Sequence, residues 1–437
     1  MPDPPADNAP PPGLSPAQQR RGMRYGYVAQ SCGMLLPYVL FDQGVAVLLL
    51  QHLGAGEFQT MLAVSLYGMG RIMQVPVSLW VHPGRGKAMM LAGWAFAGVG
   101  MAAATILAGL VPPGSPWLWV LVAVMAASLL SQGAANTFWW PLLHDVVPAG
   151  ERGRFFAKLR AIWGSTAFLA ILAAGAFLGD GPATWRHQVV WGVLVALFLL
   201  RNAFVARIPV DRAATGRDDA FGDWRAHLRG MLRRREVVLF IAYILGVTLC
   251  AGCLRQPMVR YLMHLGFPVR DNLLLIGCSV LGTVTFLLLT GRLTDRLGTR
   301  RVFTIAHLAV IAVCVAVPAV GLLGREAAGG ILIGLLFLAG GMLAVLQLAA
   351  TAELFHLAPG RGRAFFMSFA TVLMVLGPLV SVLLIGALLE AAGTTWRLAA
   401  GPIGLDVFQL LFLGAGLLLA ALLPLLRGIA DRRPEAT

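Results

Sequence analysis

Residues 271–301 read DNLLLIGCSVLGTVTFLLLTGRLTDRLGTRR. After Asp271 this is an apolar run of about 20 residues, the length of a helix that crosses roughly 30 Å of hydrocarbon. The eleven residues that follow, 291–301, hold five charges. The stretch predicts a transmembrane helix ending in a polar turn, and the same alternation extends in both directions. Further apolar runs fall at 26–50, 58–81, 88–111, 117–143, 155–178, 187–208, 237–263, 301–323, 328–355, 364–390 and 401–427. Across the 437 residues, 58% are hydrophobic and only 12% charged, against about 25% charged in a soluble domain, so most of the chain must sit in lipid. The fold class expected is an all-α membrane protein of about twelve transmembrane helices.

Two six-helix bundles with pseudo-symmetry follow from a weak internal repeat. His52-Leu53-Gly54 recurs 212 residues later as His264-Leu265-Gly266, and Arg152-Gly153-Arg154 recurs after 209 residues as Arg361-Gly362-Arg363. Parallel repeats of this kind place a ligand site at the interface of the halves, near the bilayer midplane. The expected organisation is a disordered tail at 1–24, a bundle at 25–208, a linker at 209–236, a second bundle at 237–427 and a tail at 428–437. The linker reads PVDRAATGRDDAFGDWRAHLRGMLRRRE, either a flexible tether or, in its second part, an amphipathic helix on an anionic leaflet.

The net charge of +14 does not point to nucleic acid, because the basic residues lie in alternate connections rather than on one face. By the positive-inside rule both termini and the linker are expected on the cytoplasmic side of a cell inner membrane. Trp117, Trp119, Trp185, Trp191 and Trp396 are expected near the opposite boundary, where amphipathic rings favour the headgroup level. The Pro-rich start lacks the apolar core of a signal peptide. All five cysteines fall inside apolar runs, so neither a disulfide framework nor a loop-borne metal site is indicated.

The turn GRLTDRLGTRR at 291–301 resembles the G-x-L-x-D-R-x-G-x-R-R signature of the major facilitator superfamily, and DVVPAGERGR at 145–154 resembles that family's loop between the fourth and fifth helices. Departures accompany the match. The corresponding turn of the first half, VSLWVHPGRGK at 77–87, has Val81 where the acidic residue belongs, and Leu129 stands at the basic position before Gln132-Gly133. The fifth span lacks the Gly-Pro pattern of drug antiporters, although Gly377-Pro378 appears in the eleventh. The resemblance implies a secondary transporter working by alternating access, with a cytoplasmic gate at Asp295, Arg296, Arg300, Arg301, Arg152 and Arg154. In that gate Asp295 meets the start of the fifth helix, where free N–H groups and the helix dipole favour a carboxylate. The bland alternative is that the arginines serve only as positive-inside charges.

Ionisable groups at bilayer depth are costly unless they face a cavity or a partner. Asp42, Arg71 and Arg255, with Gln256 beside it, are the strongest candidates for a substrate or coupling cavity. Asp42 lies 10 residues before His52 and Arg255 lies 9 before His264, so both should be about 14 to 15 Å deep at 1.5 Å per residue. They are expected to face each other, with Arg71 as an alternative partner. Gln132 and Asn136 share a face of the fourth helix, as Gln347 and Thr351 do in the tenth. Arg260 and Arg201 are close enough to helix ends to be explained by snorkelling.

No G-x-x-x-x-G-K-[ST] loop occurs, so an ion gradient or facilitated diffusion is expected rather than a built-in ATPase. The solute expected is small, organic, and anionic or zwitterionic, with a proton or another cation as coupling ion. No cofactor, metal or nucleic-acid partner is expected, and the chain is expected to act as a monomer in the lipid bilayer. The rival classes are a receptor or lipid-handling scaffold without transport, and a membrane-embedded enzyme, for which His144-Asp145 is the only adjacent pair of suitable type.

Overall fold

The structure, a computed structural model, describes residues 14–81, 85–148, 151–210, 229–230, 232–297, 299–357, 363–394, 396–400 and 403–428. Twelve helical spans follow one another. The first is Pro16–Leu35 continued by Leu36–Asp42 and Val45–His52, and the second is Glu57–Ile72 continued by Gln74–Trp80. The third is Gly86–Leu110, and the fourth joins Leu118–Asn136 to Trp139–Val146; the fifth is Arg152–Leu178 and the sixth Thr184–Ala206. After the linker come Arg235–His264, Val269–Leu297, Thr299–Val320, Arg325–Leu357, Arg363–Ala392 and Val407–Leu422 with its tail Leu423–Gly428. Among the described residues ten helices are long and apolar enough to cross a membrane, and the bent first span is an eleventh. The second span stays below that measure because its longer piece has 16 residues. The end of the first span at Pro16 is called here the terminus side, and the end that carries the His-Leu-Gly turns the far side.

Helix packing reproduces the repeat. The first span packs on the fifth and sixth, the second on the fourth, and the third on the fourth and sixth; the seventh packs on the eleventh and twelfth, the eighth on the tenth, and the ninth on the tenth and twelfth. Each pairing in one half has its counterpart in the other. The bundles meet where the second span lies on the eleventh and the fifth on the eighth, contacts that the same repeat exchanges. Even the turns correspond: His52 Nε2 is 3.0 Å from the Thr184 hydroxyl at the start of the sixth span, and His264 Nε2 is 3.5 Å from Asp406 at the start of the twelfth.

Lipid tails are as apolar as leucine, so helices associate in a bilayer through close backbone approach rather than hydrophobic burial. Glycine supplies that approach at matched positions. Gly133 of the fourth span lies so close to the second that a Cβ would overlap the Gly70 carbonyl oxygen; a Cβ at Gly340 of the tenth would overlap the Ser279 carbonyl oxygen of the eighth. Large apolar side chains such as Phe96, Ile106, Leu384 and Leu417 are left exposed, as a lipid-facing surface requires.

The sequence predicts one unbroken first span, but the chain bends there by 55° between Asp42 and Val45. Pro37 has no N–H to continue the helical ladder, the turns widen to a π-helix over Leu36–Asp42, and the Gln43 N–H donates to the Tyr38 carbonyl at 2.8 Å. Gly44 then takes a left-handed φ of 72°, close against Val259 of the seventh span. Three further expectations are corrected. Helix begins at Pro16, inside the stretch 1–24 read as tail, because Ser15 and Gln18 close a capping box. Residues Arg397–Ala400 and Ile403–Asp406 pair as a short antiparallel hairpin in the connection, so the last span starts at Val407 rather than 401. Trp117, Trp119, Trp185 and Trp396 are exposed as a boundary requires, whereas Trp191 is fully buried.

Candidate functional site

The bend in the first span delivers Asp42 to the interface between bundles. Arg255, on the continuous seventh span, reaches it with Nη1 3.3 Å from Asp42 Oδ2, and the two side chains keep 27% and 21% of their surface exposed. Gln43 Nε2 donates to the same carboxylate oxygen at 3.3 Å. Tyr38, one turn before Asp42, is buried and packs edge-on against Trp163 of the fifth span at 4.9 Å. The arrangement is a partly exposed ion pair with one charge on each bundle.

Arg71, expected as an alternative partner for Asp42, instead donates to the Tyr67 hydroxyl one turn earlier on its own helix, with its guanidinium 4.5 Å from that ring's centre. Gln256 is buried beside Arg255, and its Oε1 has no hydrogen-bond partner. Gln132 and Asn136 belong to the interior of the first bundle: Gln132 is buried, and Asn136 Oδ1 accepts from Trp94 Nε1 at 3.0 Å. Gln347 is exposed on the tenth helix, so it does not mirror Asn136. Among the gate residues, Arg154 and Arg301 are exposed and Arg300 is half-buried. The side chains of Arg152, Asp295, Arg296 and Thr351 lie outside the described residues.

At the far side the bundles are joined by groups the sequence reading did not select. Arg260 grips Glu57 with Nε at 2.8 and 3.1 Å and Nη2 at 2.5 Å, linking the seventh span to the start of the second. Glu390, at the end of the eleventh, accepts from the Phe58 N–H at 3.2 Å. A carboxylate there meets the unpaired N–H groups of a helix start. Snorkelling is therefore not the account of Arg260. Arg201 likewise turns inward and is buried. Among the described residues no group of three or more His, Cys, Asp or Glu is arranged to hold a metal ion.

A sequence model of the Major Facilitator Superfamily matches residues 33–331. No curated protein sequence matches the chain. Among solved structures, the nucleoside transporter NupG superposes with a TM-score of 0.64 at 13% identity, covering 94% of this chain and 98% of that one. The transporter FucP in its outward conformation gives 0.61 at 16% identity, with 94% and 97% covered, and a bacterial metal transporter gives 0.61 at 15% with the same coverage. At such identities the likeness concerns the fold.

Proposed function

The chain belongs to the major facilitator superfamily, and from that premise we propose a secondary transporter that moves a small anionic or zwitterionic organic solute by alternating access. One observation carries the solute class: the Asp42–Arg255 pair spans the two bundles, one charge on each, and is only partly shielded. A fully buried pair resists separation, since removing one partner costs about 3 to 5 kcal/mol, while a fully exposed one contributes about 0 to 1 kcal/mol. A pair between these limits can be opened by a competitor. A solute carboxylate that takes Arg255 breaks its link to Asp42, and so ties solute binding to the contact between the bundles. Arg71 and the rings of Tyr38, Tyr67 and Trp163 complete the proposed cavity.

The far-side links Glu57–Arg260 and Glu390 support a state closed on that side. The arginine distribution supports a cytoplasmic terminus side in a cell inner membrane, and a gate there in which Asp295 meets the start of the fifth helix near Arg154.

The double substitution Asp42→Asn with Arg255→Gln separates site from scaffold. It removes both charges together and so leaves neither buried alone. Normal folded yield is expected, with solute counterflow in proteoliposomes lost. Full counterflow in the double variant would show that the pair only holds the bundles together, and the functional assignment would fail.

A further inference from the structure

We infer that the first bundle holds a small monoanion, the size of chloride or a single carboxylate group, against Arg201. Arg201 belongs to the sixth span and is 3% exposed. Its guanidinium carbon lies 3.4 Å from the centre of the Trp94 ring and 4.3 Å from that of Phe198. The side chain passes over Gly33 of the first span, where a Cβ would overlap it. Its Nε and Nη2 are sealed from solvent without a hydrogen-bond partner, and among the described residues no carboxylate pairs with it.

The groups around the same tryptophan are in a similar condition. Trp139 packs edge-on to Trp94 at 5.7 Å with its Nε1–H unpaired. Asn202, next to Arg201, donates to the Leu91 carbonyl at 3.4 Å while its Oδ1 finds nothing. Gln132, one turn before the Asn136 that accepts from Trp94, has an unpaired Oε1. One orphaned N–H is an ordinary imperfection, but a buried guanidinium with two unpaired N–H-bearing nitrogens, stacked on the same ring as an indole whose N–H is also unpaired, marks a site for something small that accepts hydrogen bonds.

The sign of that group follows from Arg201. A guanidinium cannot shed its proton in a protein, and a buried charge without a partner is far costlier than a buried dipole. Stacking on Trp94 engages the face of the guanidinium and compensates part of that cost. The N–H donors lie in the guanidinium plane and remain free. The missing partner is therefore negative, and the close packing limits it to a few atoms. Asp42 does not serve, being paired with Arg255. The terminal amide of Gln132 can rotate to present N–H to an anion, whereas that of Asn202 is held by its donation to the Leu91 carbonyl.

The inference does not depend on transport, and its test reads none. Purified full-length protein in detergent is melted in sodium gluconate at constant ionic strength while chloride, or separately acetate, replaces the gluconate. A bound anion stabilises by mass action, so a saturable rise in melting temperature is expected with at least one of the two. Response to acetate alone assigns the site to a carboxylate, and to chloride alone to an inorganic halide. The rise should persist in Arg255→Gln and vanish in Arg201→Gln. Should Arg201→Gln fail to fold, Arg201→Lys keeps the charge but loses the planar donors, and half-saturation should move about tenfold higher. The inference is overturned by a saturable response that Arg201 variants leave unchanged, by loss of the response in Arg255→Gln, or by no saturable response in the unmodified protein.

Discussion

Arg260 sits four residues from the end of its helix, about 6 Å at 1.5 Å per residue, and a long side chain at that depth reaches the headgroups unaided. Its partner comes from the other bundle, 203 residues away, which no local pattern reveals. The Asp42–Arg255 pair was legible because both residues could be counted back from the repeated His-Leu-Gly turns; Glu57 lies beyond its turn, so the same count does not reach it. Arg201 was misread for a related reason, since distance to a helix end says nothing about whether the side chain points out or in. Glu57 and Arg260 are largely buried, so removing one charge should cost the closed far side up to about 3 kcal/mol. Asp295, at the other end, should act in the opposite sense with about 0.3 to 2 kcal/mol. Spin labels across the far side should therefore move apart in Glu57→Gln, and labels across the terminus side should move apart in Asp295→Asn. Unchanged distances in either variant would remove that residue from the gates.

Span number and order were legible at the level of the helix because apolar length is a direct requirement of the bilayer. Which of the 51 glycines bring helices together was not, since close approach depends on the facing helix. Gly70 and Gly282 are 212 residues apart, Gly133 and Gly340 are 207 apart, and each pair marks the same crossing. Gly133→Ala and Gly340→Ala should each push two helices apart, an overpacking cost of about 1 to 3 kcal/mol. Gly192→Ala, where a Cβ meets nothing within 4 Å, should instead be neutral or gain a little from helix propensity. Thermal melting in detergent ranks the three, and equal melting temperatures would mean that the crossings tolerate a methyl group. The bend in the first span also had its signals, Pro37 and Gly44, but neither residue alone distinguishes a kinked helix from a broken one.

For the molecule as a whole, the basic connections predict that the linker faces the cytoplasm. A cysteine placed at position 217, in an otherwise cysteine-free chain, should resist an impermeant thiol reagent added to intact cells and react once the membrane is opened. Reaction from outside would invert the assigned topology. The two bundles share one packing scheme but differ where they meet, for the first span breaks at Asp42–Gly44 while its counterpart, Arg235–His264, runs through unbroken. At a helix break the first N–H groups of the new segment, here after Gly44, have no carbonyl in the preceding turn to receive them. Hydrocarbon offers such groups nothing, and irregular backbone survives at this depth only beside protein or water. Val45, Ala46 and Val47 are fully buried, so here it is protein that surrounds the break, and the packing that covers it cannot part without exposing unpaired backbone to hydrocarbon.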